Sequence, residues 1–387
     1  MPNQKKRILF YTRPIVPPWD EASKNLAFDI ASNLNKKKFK AILLTSRKNS
    51  FNQKLKKNWP WINPEEIYSS PEVNLNLKNK IKLLKRLFRI KLKEDLIHFL
   101  FTPRSLTSLL IRLRLKFSRV KTIQTVATIS KKNFQKPEKL KKILFADRVI
   151  VQSKNTFNKI KKIGFENAKL IYPGINLDKY RPTKKDPGLL RKLKIKKQEF
   201  ILLYTGEYVR LKAIDDIIEA CQSLWEKNKK IKLILACRIK SKKDEKKKKR
   251  ITKKLRTEGL QGNVIFIDTF DEMEKLYNIS DLNVFPAREM AGKFDLPLTL
   301  IESMACGKPI VVSKLKNLKE LVGKNSRGLL VETGNPKDLA EKISILKSDK
   351  KMYNEMTRRS VEFIKNNFDI KKKTKEYEEI YKNLTKR

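Results

Sequence analysis

Short apolar runs alternate with stretches of helical period from one end of the chain to the other. In the first half, RILFYT (7–12) precedes a helix-like segment from Ser23 to Leu34. KAILLTS (40–46), DLIHFLF (95–101), VKTIQTV (120–126) and DRVIVQS (147–153) follow. The second half repeats the rhythm with FILLYTG (200–206), IKLILAC (231–237), NVIFID (263–268), DLNVFP (281–286) and KPIVVS (308–313). Runs that are apolar at consecutive positions must be covered on both faces, which predicts parallel strands sandwiched between helices. Between the two sets lies YPGINLDKYRPTKKDPG (172–188), whose prolines, glycines and charges read as a linker. The pattern predicts an α/β protein of two Rossmann-like domains, residues 1–177 and 186–362, followed by a lysine-rich helical segment over 363–387.

Glycine placement narrows the chemistry. All eleven glycines lie at Gly164 or beyond. A dinucleotide-binding loop needs residues without a β-carbon where backbone meets pyrophosphate, so the first domain is not of that kind. The second has neither G-x-G-x-x-G nor a G-x-x-x-x-G-K-[ST] loop. Dehydrogenase and P-loop activities are thereby excluded.

Charge changes the picture less than its size suggests. The 387 residues carry 91 Lys and Arg against 41 Asp and Glu, a formal net charge of +50. Only 21 of those cations are Arg, the residue favoured for bidentate reading of phosphates and bases. The excess is therefore read mainly as surface composition, with an anionic membrane surface preferred to nucleic acid as a partner. The densest run, LKNKIKLLKRLFRIKLK (77–93), has eight basic residues and no acid, with Ile81, Leu84, Leu87 and Phe88 at helical spacing. Such a helix either packs its stripe on its own domain or lies on a bilayer. SKKDEKKKKR (241–250) reads as a solvated helix face or loop. His98, the one histidine, sits inside an apolar strand and reads as a packed core residue. Cys221, Cys237 and Cys306 are too few and too scattered for a disulfide framework or a zinc site. The basic N-terminal tip runs straight into a β-like segment, without the pattern of a signal peptide. These features predict a cytoplasmic protein.

In parallel α/β domains ligands bind beyond the C-terminal ends of strands, so the polar residues after each apolar run are the candidates. In the second domain these are Gly206–Lys212, Arg238, Thr269 and the long segment 286–313, PAREMAGKFDLPLTLIESMACGKPIVVS. LPLTLIESMACGKPIVVS resembles the donor-site signature of retaining glycosyltransferases of family 4 (glycosyl transferases group 1). The resemblance continues through FADRVIVQSKNTFNKIKKIGFENAKLIYPGINLDKYRP (145–182), YTGEYVRLKAIDDIIEA (204–220), VIFIDTFDEMEKLYNISDLNVFPA and GLLVETGNPKDLAEKI. These stretches stand in order between residues 145 and 343. The family has the GT-B fold, two Rossmann-like domains whose parallel sheets face each other across a cleft. The resemblance implies that the first domain takes the acceptor, the second the donor, and that the closing helix crosses back to the first.

The resemblance also implies a hexosyltransferase-like reaction: sugar moves from a nucleotide-activated donor to an acceptor hydroxyl with retention of configuration. The nucleotide sugar is co-substrate, and no other cofactor or metal is implied; no Asp-x-Asp pair occurs. Lys212 matches the family's phosphate-binding lysine and Glu302 its ribose-binding glutamate. Gly206 ends the phosphate-loop strand, and Gly292, Lys293, Phe294, Asp295 and Leu296 surround the sugar and diphosphate. Three positions depart from the pattern. Phe294 stands where the family has a further glutamate, leaving Asp295 or Glu289 to contact the sugar. Glu207 replaces an arginine, leaving Arg210 to reach the phosphates. Ala127 replaces a histidine of the first domain, where Asp20 or Glu21 would orient the acceptor. The catalytic candidates are Asp295, Arg210 and Lys212. The implied acceptor is a glycan or lipid-linked molecule, which places the protein in the cytoplasm or at the inner face of the membrane. The departures keep open a degenerate protein that binds a sugar nucleotide or partner without transfer, and the charge keeps open a basic nucleic-acid-binding protein.

Overall fold

A computed structural model of the protein describes residues 5–19, 21–47, 50–71, 76–88, 95–101, 105–116, 118–227, 230–290 and 293–386. Asp20, Gly292 and positions 89–93 of the basic run lie outside the described residues. The chain forms two compact units, Met1–Asn176 with Phe368–Arg387, and Leu177–Asn367. Each is built on one all-parallel sheet.

Unit 1 contains β1 (Lys6–Tyr11), β2 (Phe39–Ser46), β3 (Ile62–Tyr68), β4 (Leu96–Leu100), β5 (Lys121–Val126), β6 (Arg148–Val151) and β7 (Ala168–Leu170). Their spatial order is 3-2-1-4-5-6-7, reversing between β1 and β4. Unit 2 contains β8 (Phe200–Glu207), β9 (Ile231–Arg238), β10 (Val264–Ile267), β11 (Leu282–Phe285), β12 (Ile310–Ser313) and β13 (Gly328–Val331). Here the order is 10-9-8-11-12-13, reversing between β8 and β11.

All ten apolar runs form strands. Three further strands, β3, β7 and β13, were not expected, and all three are sheet edges. An edge strand is paired on one side only, so it tolerates the Pro64, Glu65 and Glu66 that break the apolar pattern in β3.

Alternation along β1 shows why the central strands are apolar throughout. Ile8 and Phe10 point to one face, where they meet Leu26, Ile30 and Tyr377, while Leu9 and Tyr11 meet Leu87, Phe99 and Ile111 on the other. In unit 2 the segment read as a linker is tied down. Thr183 N–H donates to the Asn278 side chain at 2.9 Å, and Lys185 pairs with Asp281 at 2.6 Å.

The closing segment is not one helix. A helix over Lys350–Asn367 ends in unit 2, and a second, Ile370–Leu384, belongs to unit 1, with Asp369 as its N-cap accepting from Lys371 N–H at 2.9 Å. Ile175 N–H donates to the Phe368 carbonyl at 2.8 Å, and Ile370 N–H donates back to Ile175 at 3.0 Å. Gly174 makes this approach possible, since a β-carbon there would overlap Ile370.

The second helix is held by His98. This ring is fully buried on β4, bonding Tyr381 Oη through Nδ1 and Thr125 Oγ1 through Nε2, each at 2.7 Å. Both partners are hydroxyls, which can donate or accept, so it is complete burial rather than the bonding pattern that favours the neutral imidazole. Burial pushes its pKa down to about 3. In the unfolded chain the ring takes a proton near pH 6.5, so stability present above that pH is lost progressively as pH falls towards 3. His98→Gln, which does not titrate, should therefore be less stable than the parent at pH 7.5. The gap should narrow by about 1.4 kcal/mol per unit below about pH 6. Denaturant melts of both proteins at pH 7.5, 5.5 and 4.5 check this; a constant gap would contradict it.

Candidate functional site

The reversal between β8 and β11 sends the chain in opposite directions after the two strands and opens room beyond their C-terminal ends. Most of the unit 2 candidates lie in the two loops that leave from there.

β8 ends in Gly206 and Glu207. A β-carbon on Gly206 would run into the Tyr204 ring, so glycine is what allows Tyr204 to sit beneath the strand end. Glu207 is nearly inaccessible, yet it is the centre of the site. Its carboxylate meets Lys293 Nζ and Lys240 Nζ, each at 3.0 Å, and Arg210 Nη1 at 3.6 Å. Burial raises the cost of its charge, but the Lys293 and Lys240 ammonium groups outweigh that and hold its pKa down to about 2. Lys293, itself half-buried, has its pKa lowered by burial and partly restored by Glu207. Three cations face one anion, so the four side chains together remain net positive.

The two loops are stitched together. Arg288 N–H donates to the Leu211 carbonyl at 3.0 Å, and the Arg288 guanidinium grips Asp216, with Nε 3.0 Å from Oδ2. Lys212 has a left-handed backbone (φ 53°) and pairs through Nζ with Glu289 at 3.2 Å. It immediately precedes Ala213, the uncapped start of the helix Ile214–Glu226. Its side chain is 64% exposed, so a ligand anion can reach its ammonium.

Asp295 and Leu296 are buried, Lys293 and Phe294 half-buried. Glu302 lies in the second turn of the helix Leu298–Ala305 and accepts from Tyr277 Oη at 2.9 Å. Burial first, then the Glu302 charge, raises the Tyr277 pKa well above its usual value, which keeps the phenol a donor. In unit 1, Ala127 directly follows β5, and Glu21 pairs with Arg13 at 3.5 Å.

The structure thus brings Gly206, Arg210 and Lys293 together around Glu207, and pairs Lys212 with Glu289. Sequence reading missed Lys240, although it lies two residues beyond Arg238 at the end of β9, where a candidate was expected. It also missed Tyr277, 25 residues before Glu302, for which no local signal exists. Among the described residues, no three His, Cys, Asp or Glu side chains form a metal-ligating group.

Residues 187–363 match the family model described as glycosyl transferases group 1. An uncharacterized glycosyltransferase of Methanocaldococcus jannaschii is 29% identical over 253 residues, 63% of this chain and 60% of the relative. The N-acetyl-alpha-D-glucosaminyl L-malate synthase of Bacillus anthracis is 24% identical over 188 residues, 48% of this chain and 46% of the relative. The chain therefore spans about half the length of these relatives. In fold, it superposes on Anabaena HepE, crystallised with UDP and glucose, with a TM-score of 0.78. That likeness covers 98% of this chain and 100% of HepE at 18% identity.

The Glu207 cluster has a checkable consequence. Glu207→Gln leaves the half-buried Lys293 without its counter-charge and should destabilise unit 2 by about 2 kcal/mol. Glu207→Arg, which adds a fourth cation, should destabilise more. Thermal melts at neutral pH test the ranking; an arginine variant as stable as the parent would show that the pairings do not hold the loops.

Proposed function

As residues 187–363 match the family model of glycosyl transferases group 1 in a chain of GT-B fold, we propose that the protein is a glycosyltransferase that uses a nucleotide sugar and transfers the sugar to an acceptor hydroxyl with retention of configuration. The observation that carries the reading is the net-positive cluster at the end of β8, with Lys212 in the same loop. A departing nucleoside diphosphate gains negative charge as the sugar leaves, and fixed cations stabilise that change more than they stabilise the bound donor. In this reading Arg210 and Lys212 take the diphosphate, and the loop end beyond Gly206 lets the backbone approach it. Lys293, Phe294 and Leu296 border the sugar in the same reading, and Asp295 is the residue assigned to contact it. The Glu302 carboxylate accepts the ribose hydroxyls, oriented by the Tyr277 hydroxyl that already donates to it.

No side chain need become the nucleophile: the leaving phosphate takes the proton of the acceptor hydroxyl, while the protein aligns the reactants. Lysine and arginine supply the charge that a divalent ion would otherwise provide, so we also propose that the reaction is metal-independent and uses no further cofactor. The acceptor is read as a glycan or lipid-linked molecule, and the protein as cytoplasmic or peripheral to the inner face of the membrane. Its three cysteines are free and buried, in keeping with a reducing compartment.

One observation favours a second reading, binding without transfer. Glu207 already engages Arg210 and Lys293, two of the cations a donor would need.

Incubation with a panel of nucleotide sugars, followed for nucleotide release, decides between them. Release that survives EDTA supports the transferase; binding by calorimetry without release supports the second reading. Lys212→Ala and Glu302→Ala should each lower kcat/KM by about 100-fold. Parental rates in both would overturn the site assignment, and an inverted product anomer, seen by NMR, would overturn retention.

A further inference from the structure

Two neighbouring helices of unit 1 carry more apolar surface than their packing uses. The helices Leu77–Phe88 and Ser105–Leu115 cover the same face of the sheet. Leu87 and Ile111 are buried there beside Leu9, Tyr11, Ile97 and Phe99, with Leu83, Leu84 and Leu115 packed against them. Arg114 Nη2 donates to the Phe88 carbonyl at 3.4 Å, which brings their C-terminal ends together. The stripe expected to be either inward or outward is in fact divided: Leu87 serves the core, while Ile81 and Phe88 face solvent with Leu77.

Leu106, Leu109 and Leu113 form a matching row on the second helix, at spacings of three and four. These six side chains are between 45% and 73% exposed, and only Trp19 and Val209 join them as exposed large hydrophobic residues among those described. A folded protein scatters such residues singly; six on two adjacent helices mark a surface meant to be covered.

Charge says by what. Neither helix contains an acidic residue. Lys78, Lys80 and Lys85 are exposed on the first and Arg112 on the second. Arg86 differs: it is buried and paired with Glu65 inside the unit. A leucine-rich row flanked by flexible cations suits an interface in which apolar chains lie beneath a layer of anionic phosphates. A nucleic acid would meet the cations but leave six apolar side chains in water. No helix among the described residues is long and apolar enough to cross a membrane, so the association would be lateral.

We propose that the outward faces of Leu77–Phe88 and Ser105–Leu115 form a docking surface for an anionic phospholipid bilayer. It stands on unit 1 alone, so a chain without transferase activity would still bind vesicles, and a soluble active chain would still transfer sugar.

The test is co-sedimentation of the full chain with vesicles of phosphatidylcholine alone, or with about one-third phosphatidylglycerol. Parent protein should partition at least about tenfold better onto the anionic vesicles. The triple variant Leu106→Ser, Leu109→Ser, Leu113→Ser removes exposed side chains only, so its melting temperature should match the parent's. Its binding should fall by about tenfold or more. Lys78→Glu with Lys85→Glu should reduce binding to anionic vesicles alone. Equal partitioning onto both vesicles would overturn the proposal. So would a folded serine variant that binds like the parent, or preferential capture of an RNA oligonucleotide over anionic vesicles.

Discussion

A carboxylate buried at the end of a parallel strand stays ionised only if cations come to it, and the arrangement of unit 2 around Glu207 follows from that requirement. Its strand end brings Lys240 from the end of β9 and Lys293 from the loop after β11, drawing three parts of the chain onto one point. The Arg288–Asp216 ion pair and the Leu211–Arg288 backbone bond pin the same loops from the other side. Buried ion pairs rarely add much net stability, because desolvation consumes most of the attraction. Their geometric consequence is larger: these cations are held in place before any ligand arrives, which is the condition for electrostatic catalysis.

Under the proposed function, the same residue accounts for how a glutamate could stand where the resembled pattern has an arginine. An isolated glutamate beside a diphosphate would repel it, but a carboxylate already saturated by Lys240, Lys293 and Arg210 presents little charge of its own. Viewed from outside, the cluster is cationic. What changes relative to an arginine at that position is the source of the positive charge, which comes from three side chains converging from separate loops.

Burial governs how much of this was legible beforehand. The central strands were readable because parallel strands covered on both faces must be apolar at every position, and β1 with Ile8, Leu9 and Phe10 shows the rule. β3 was not, because an edge strand with Pro64, Glu65 and Glu66 has no such obligation. The break at Phe368–Asp369 went unnoticed because the helical period is nearly continuous across it; only the backbone pairing with Ile175 reveals where the chain changes unit. Lys212 and Glu302 were singled out as candidates through local motifs. Lys240 and Tyr277 gain their importance from partners 33 and 25 residues away, and no local pattern encodes that.

The large positive charge resolves into three physically different populations. Many lysines, such as Lys141 with Glu138 or Lys314 with Glu332, make exposed pairs that contribute little to stability. A few are partly withdrawn from water around Glu207, where each is worth more because the dielectric is lower. A third group flanks exposed leucines on helices without a single acid, where no intramolecular partner on the same element answers it. Net charge alone cannot separate these groups, because it counts a solvated lysine and a desolvated one equally. Separating them requires knowing what lies beside each ammonium: water, a buried carboxylate, or an apolar row. By that criterion the sites of consequence are few, although the cations number 91. The bulk of the charge sets only the overall field of the surface, while specificity resides in the handful whose neighbours fix their position.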